Sequence, residues 1–193
     1  LITYKLRSYK LTEMDKLVFD IETKNFFDDP EVGPGNLDAL KISVVGAYSY
    51  ARDAYFCFDE GQFEEMKDLF RNATALIGFS SNRYDIPVLN RYVDTDLWAK
   101  ERVDLLEEVE YALGRRVSLN SLAKTNLGVG KTGHGSQAIA LYKEGRIEEL
   151  KAYCLHDVKL TKALYDIAHR DRQLLVFDRN ENKNIAVGIS SLV

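Results

Sequence analysis

At 193 residues, with 46% hydrophobic and 29% charged content, the chain can bury one sizeable core and is too apolar for a disordered segment. A net charge of −4 excludes a protein that coats nucleic acid by bulk attraction, though not an enzyme that grips a few phosphates locally. Cys57 and Cys154 form no Cys-x-x-Cys pair, so neither a disulfide framework nor a zinc site is expected, and Cys154 reads as a packing residue.

The opening Leu1-Ile2-Thr3-Tyr4-Lys5 lacks the apolar stretch of a signal peptide, and no later run reaches membrane-spanning length. An intracellular, cytoplasmic, soluble protein with no membrane partner is the expectation. The first residue is Leu rather than Met, which leaves open a longer parent chain. No repeat or low-complexity tract divides the sequence, so one domain over 1–193 is the simplest organisation, with its core over 16–170. Lys16 to Glu22 predicts a mostly apolar strand entering that core. Ile42 to Tyr50 and Ala54 to Phe58, rich in β-branched and aromatic residues, predict two more. Gly61 to Arg71 reads as a helix, with Phe63, Met66, Leu69 and Phe70 at helical spacing. Ala75 to Phe79 is a short buried strand ending in a polar loop. From Leu97 to Asp171 the pattern is mainly helical, broken at Gly114 and across Gly128 to Gly135. Leu174 to Val187 predicts a closing hairpin around Asn180-Glu181-Asn182-Lys183. Strands first and helices later imply an α/β class, a mixed sheet flanked by helices.

Three segments carry carboxylates in suggestive places. Asp20 and Glu22 stand two apart on the first strand, so alternation sends both to one face, away from Phe19 and Ile21. Two carboxylates projecting together repel unless a cation such as Mg²⁺ lies between them; the plain alternative is a strand end reaching solvent. Asp85 follows a strand and the turn Ser80-Ser81-Asn82-Arg83-Tyr84, opening an apolar helical run, where a cap is the ordinary role. Tyr153 and Asp157, four apart on a helix, share a face, whereas His156 is turned about 100° from Asp157.

Together and in this order, the three segments resemble the motifs of the DEDD 3′→5′ exonucleases. Tyr153 four before Asp157 matches the tyrosine subtype; the histidine subtype has His five before it, where this chain has Ala152. The likeness is to family B DNA polymerase proofreading domains and to stand-alone or helicase-associated exonucleases of prokaryotes. It extends through Val117 to Lys124 and Leu127 to Lys131, covering roughly Lys16 to Tyr165. The resemblance implies a ribonuclease H-like fold, a mixed central sheet with helices on both faces. It also implies two Mg²⁺ or Mn²⁺ ions on Asp20, Glu22 and Asp157, Asp85 acting largely through bound water, and Tyr153 orienting the attacking water. The implied substrate is a single strand of DNA or RNA with a free 3′ end, and the implied partner a helicase or polymerase. A retired exonuclease kept as a nucleic-acid-binding module, and a ribonuclease H-type endonuclease, remain the alternatives.

Thr23, Ser80 and Asn82 are candidate substrate contacts beside the carboxylates. Ser80 departs from the polymerase pattern, which has Asn five before the second-motif Asp. Gly128-Val129-Gly130-Lys131-Thr132 fails as a phosphate loop, because Thr125 replaces the required Gly and a helix precedes it. Arg115, Arg116, Lys124, Lys131, Lys143 and Arg146 face one acid, Glu144, across that region. A solvated surface is the ordinary reading of such a run; its position makes Arg115, Arg116 and Lys131 the candidates for holding phosphates.

Overall fold

The structure, a computed structural model, describes residues 15–130, 135–190 and 192. Five strands form a mixed sheet: β1 (Asp15–Thr23), β2 (Ile42–Ser49), β3 (Ala54–Asp59), β4 (Ala73–Gly78) and β5 (Glu101–Asp104), in the order β3-β2-β1-β4-β5. The first three run antiparallel, while β4 is parallel to β1 and β5 parallel to β4. Among the described residues six α-helices accompany them: α1 (Phe63–Asn72), α2 (Asp85–Leu89), α3 (Leu105–Leu113), α4 (Leu119–Leu127), α5 (Gly135–Lys143) and α6 (Ile147–Asp171). The expected closing hairpin is present as β6 (Gln173–Asp178) and β7 (Lys183–Gly188).

Alternation along β1 assigns the two layers. Leu17 and Phe19 enter one cluster with Val45, Ala47 and Leu76 of neighbouring strands, Met66 and Phe70 of α1, and Ile86 of α2. Phe19 and Phe70 meet edge to face, their centroids 5.6 Å apart. Val18 enters the opposite cluster with Tyr48, Ile77, Leu122 of α4, and Val158 and Leu164 of α6. Helices therefore cover both faces, and each fully buried Leu, Val or Phe contributes about 1.5–3 kcal/mol.

The helix boundaries follow local chemistry. Ser118 caps α4 by accepting from Ser121 N at 3.1 Å. Gly114 and Gly128 end α3 and α4 at φ of 74° and 72°, conformations an L side chain adopts only at a cost. The region from Leu97 is mainly helical as expected, but its start departs from that pattern. It is not helical throughout: a single 3₁₀ turn at Leu97–Ala99 leads into β5, a four-residue edge strand. Val103 and Asp104 are the only buried residues of β5, so it carries too short an apolar pattern to announce itself. Among the described residues, no helix is long and apolar enough to cross a membrane.

Candidate active site

β4 accompanies β1 only as far as the Val18–Ile77 pair, so β1 runs on past its neighbour. In that projecting half, Asp20 and Glu22 share the face of Val18, opposite Gly46 and Val44 of β2. Helix α6 crosses the same face. A Cβ on Gly46 would sit 2.8 Å from Cys154 Sγ and 3.0 Å from Val158 Cγ2, so α6 lies this close only because β2 has a glycine there. Cys154 Sγ reaches the Asp20 carbonyl at 3.5 Å and its Oδ2 at 3.8 Å. A hydrogen bond with Cys57, then burial, pushes the Cys154 thiol up. One turn further, the 3% exposed Asp157 brings its carboxylate to Asp20 and Glu22, with one oxygen of each within 4.8 Å of the others.

The loop after β4 completes this wall. Asp85 Oδ1 accepts from the Ile21 backbone N–H at 3.1 Å, on the stretch of β1 that has outrun β4. Its position is held by Asp104, a residue the sequence reading did not single out. Asp104 caps α3 by accepting from Leu106 N (3.0 Å) and Glu107 N (3.3 Å), and also accepts from Ser80 N (2.8 Å) and Asn82 N (3.0 Å). Burial pushes the Asp104 carboxyl up, against the backbone donors, which favour its charged form. Ser80, held at a φ of 64°, occupies the left-handed region that non-glycine residues rarely adopt. An Asp directly before the helical run Leu105–Leu113 was the available cap signal; its grip on a distant loop was not.

Asp20, Glu22, Asp85, Tyr153 and Asp157 line one cavity of about 280 Å³, with Thr23 and Ser80. Tyr153 is 6% exposed, and its buried hydroxyl has no hydrogen-bond partner among the described residues. Burial, then the charges of Glu22, Asp157 and Asp20, push its phenol up, so it stays protonated and offers a donor. His156 is turned aside, its Nε2 3.1 Å from the Gly130 carbonyl. The sequence reading missed the aromatic walls Phe26, Phe27, Phe79 and Tyr84. Phe26 and Tyr84 are exposed; the signal available in the sequence was their position close to Glu22 and next to Asp85.

The remaining candidates differ in how near they come to the carboxylates. Thr23 Oγ1 donates to the Asn25 carbonyl at 3.0 Å. Asn82 does not line the cavity: its amide donates to Glu107 at 2.6 Å and its carbonyl accepts from Arg102 at 3.2 Å. Arg116 touches the edge of the site, donating to Ser80 Oγ at 3.1 Å, and Arg115 pairs loosely with Asp178 at 3.7 Å. Lys131 lies outside the described residues. Three clustered carboxylates offer only hard oxygen donors, the set suited to Mg²⁺ or Mn²⁺, and the unpartnered phenol beside them suits a water held at the same place.

A family model described as the RNase_H superfamily (RNase_H_2) matches residues 17–169. No curated protein matches the chain. Among solved structures, the chain is similar to the family B DNA polymerase from the hyperthermophilic archaeon Pyrobaculum calidifontis, with a TM-score of 0.62 at 16% identity. The match covers 81% of this chain and 25% of the polymerase, so the chain corresponds to about a quarter of that protein.

Proposed function

The chain belongs to the RNase_H superfamily, and on that footing we propose that it is a divalent-metal-dependent 3′→5′ exonuclease of the tyrosine subtype. Its substrate is a single strand, DNA rather than RNA, which it shortens to nucleoside 5′-monophosphates. One observation carries the reading: α6 delivers a carboxylate and a protonated phenol, one turn apart, to two carboxylates of β1. The acidic trio supports a nuclease; Tyr153 supports action at a strand end.

Asp20, Glu22 and Asp157 would hold the metal, with Asp85 near it, anchored on the Ile21 N–H. When bound, Mg²⁺ or Mn²⁺ supplies charge neutralisation and a more acidic water. Tyr153, kept protonated, donates a hydrogen bond to the oxygen of the attacking water and fixes its direction. The water loses a proton to solvent as its oxygen bonds to phosphorus, the bond to the 3′ oxygen breaks, and the 3′ oxygen takes up a proton from solvent to leave as a hydroxyl. Thr23 and Ser80 stand where the terminal nucleotide enters, and Arg115 and Arg116 beyond them hold phosphates.

Digestion of matched end-labelled DNA and RNA oligonucleotides with Mg²⁺, Mn²⁺ or EDTA tests this. Mononucleotides should appear from the 3′ end, faster from DNA, and stop in EDTA. Asp20→Ala should slow release by at least about a hundredfold, since several kcal/mol of stabilisation goes with a metal. Cutting of a closed single-stranded circle would replace this reading with an endonuclease. Binding with no hydrolysis in either metal would replace it with a retired binding module.

A further inference from the structure

Strand β6 alternates as a half-buried strand does: Leu174 and Val176 enter the core, whereas Leu175 and Phe177 face outward. Phe177, 39% exposed, stands in a groove of about 340 Å³ with Arg115, Arg116, Ser118, Ser121 and Arg179. This groove is separate from the carboxylate cavity but adjoins it, because Arg116 donates to Ser80 Oγ and Ser80 lines that cavity. Its charges are largely available. Among the described residues Arg179 makes no ion pair, and Arg116 contacts a neutral hydroxyl. Arg115 is paired only with Asp178, at 3.7 Å and partly in solvent, where such pairs are weak.

Guanidiniums around an outward aromatic ring match one class of ligand well: phosphates at regular spacing with unpaired bases between them. A duplex keeps its bases stacked and offers the ring nothing. We propose that this groove binds the single strand upstream of the reacting 3′ end, Arg116 and Arg179 on successive phosphates and Phe177 stacked on a base. The inference rests on the exonuclease reading for the strand's direction, with the 3′ end in the cavity and the strand leaving past Ser80 and Arg116. The C-terminal hairpin then becomes part of the substrate track, which sequence had offered only as a closing element.

The test is fluorescence anisotropy of the whole chain with labelled oligothymidylates of 15 and 3 nucleotides, in EDTA so that nothing is cut. Phe177→Ala and Arg179→Gln should each weaken the 15-mer by about tenfold and the trimer much less. Phe177→Tyr should restore binding, since the ring remains. Arg179→Gln should also flatten the log–log salt dependence by about 0.7, which Phe177→Ala should not. No loss, equal loss at both lengths, or equal competition by polyglutamate in wild type and Phe177→Ala would each overturn the groove. Length-dependent binding without hydrolysis in Mg²⁺ or Mn²⁺ would sink the exonuclease reading and leave the groove standing. Hydrolysis with binding indifferent to Phe177 and Arg179 would do the reverse.

Discussion

Tyr153 and His156 lie three residues apart on α6 yet meet different surroundings. The phenol is enclosed with Asp20, Glu22 and Asp157, while the imidazole leans on the Gly130 carbonyl. Tyr153→Phe should therefore lower turnover on an end-labelled oligonucleotide by roughly ten- to a thousandfold, the range of an orienting rather than a metal-holding group. His156→Ala should lower it much less. The opposite ranking would make His156 the base and the tyrosine-subtype assignment mistaken. That His156 turns away was legible from helical spacing alone. What Asn82 does was not: its side-chain amide is held by Arg102 of β5 and Glu107 of α3, 20 and 25 residues on.

At the scale of elements, the close contact of α6 with β2 at Gly46 decides whether Asp157 reaches Asp20 and Glu22. Gly46→Ala places a methyl within 2.8 Å of Cys154 Sγ, so the helix has to move. Such overpacking costs about 1–3 kcal/mol. Denaturant unfolding should register that loss, and titration with Mn²⁺ should show weaker binding as the carboxylates separate. Pairing the change with Cys154→Ala should recover much of both, by removing the obstructing sulfur. If the double variant is no better than Gly46→Ala, the close approach is not the cause. The sequence carried β1, β2 and the hairpin plainly, because the strands are runs of apolar, β-branched and aromatic residues and the hairpin has a polar turn in its middle. It did not show β5, which is short and charged, nor that Asp104 at its end would tie the loop after β4 to the start of α3. Contacts of that kind depend on strand order, on which the residues of any one segment are silent.

For the whole molecule, the gathered carboxylates set a link between metal and stability. Without a cation, Asp20, Glu22 and Asp157 repel one another within 4.8 Å. A hundredfold excess of Mn²⁺ over its Kd should stabilise the fold by about 2.7 kcal/mol, a Tm rise of roughly 5–10 °C for a chain this long. Asp157→Asn should abolish most of that rise and slightly raise the Tm measured in EDTA. A Tm indifferent to Mn²⁺ would mean that the trio is no metal site. A mixed sheet flanked by helices was legible from the order of strands and helices; that helices cover both of its faces was implied by the family resemblance. Its topology came through the family resemblance rather than through periodicity.

The contact between α6 and Asp20 spans 134 residues of chain, from Asp20 to Cys154, whereas β1, β2 and β3 pair as neighbours in sequence. Short loops close before long ones, so the meander can nucleate early and α6 docks late. A cation that needs Asp157 as well as Asp20 then has nothing to hold until the rate-limiting barrier is passed. Stopped-flow chevrons with and without Mn²⁺ should show unchanged refolding rates and slower unfolding, the mark of an interaction absent from the transition state. Faster refolding with Mn²⁺ would instead place the docking of α6 among the earliest events.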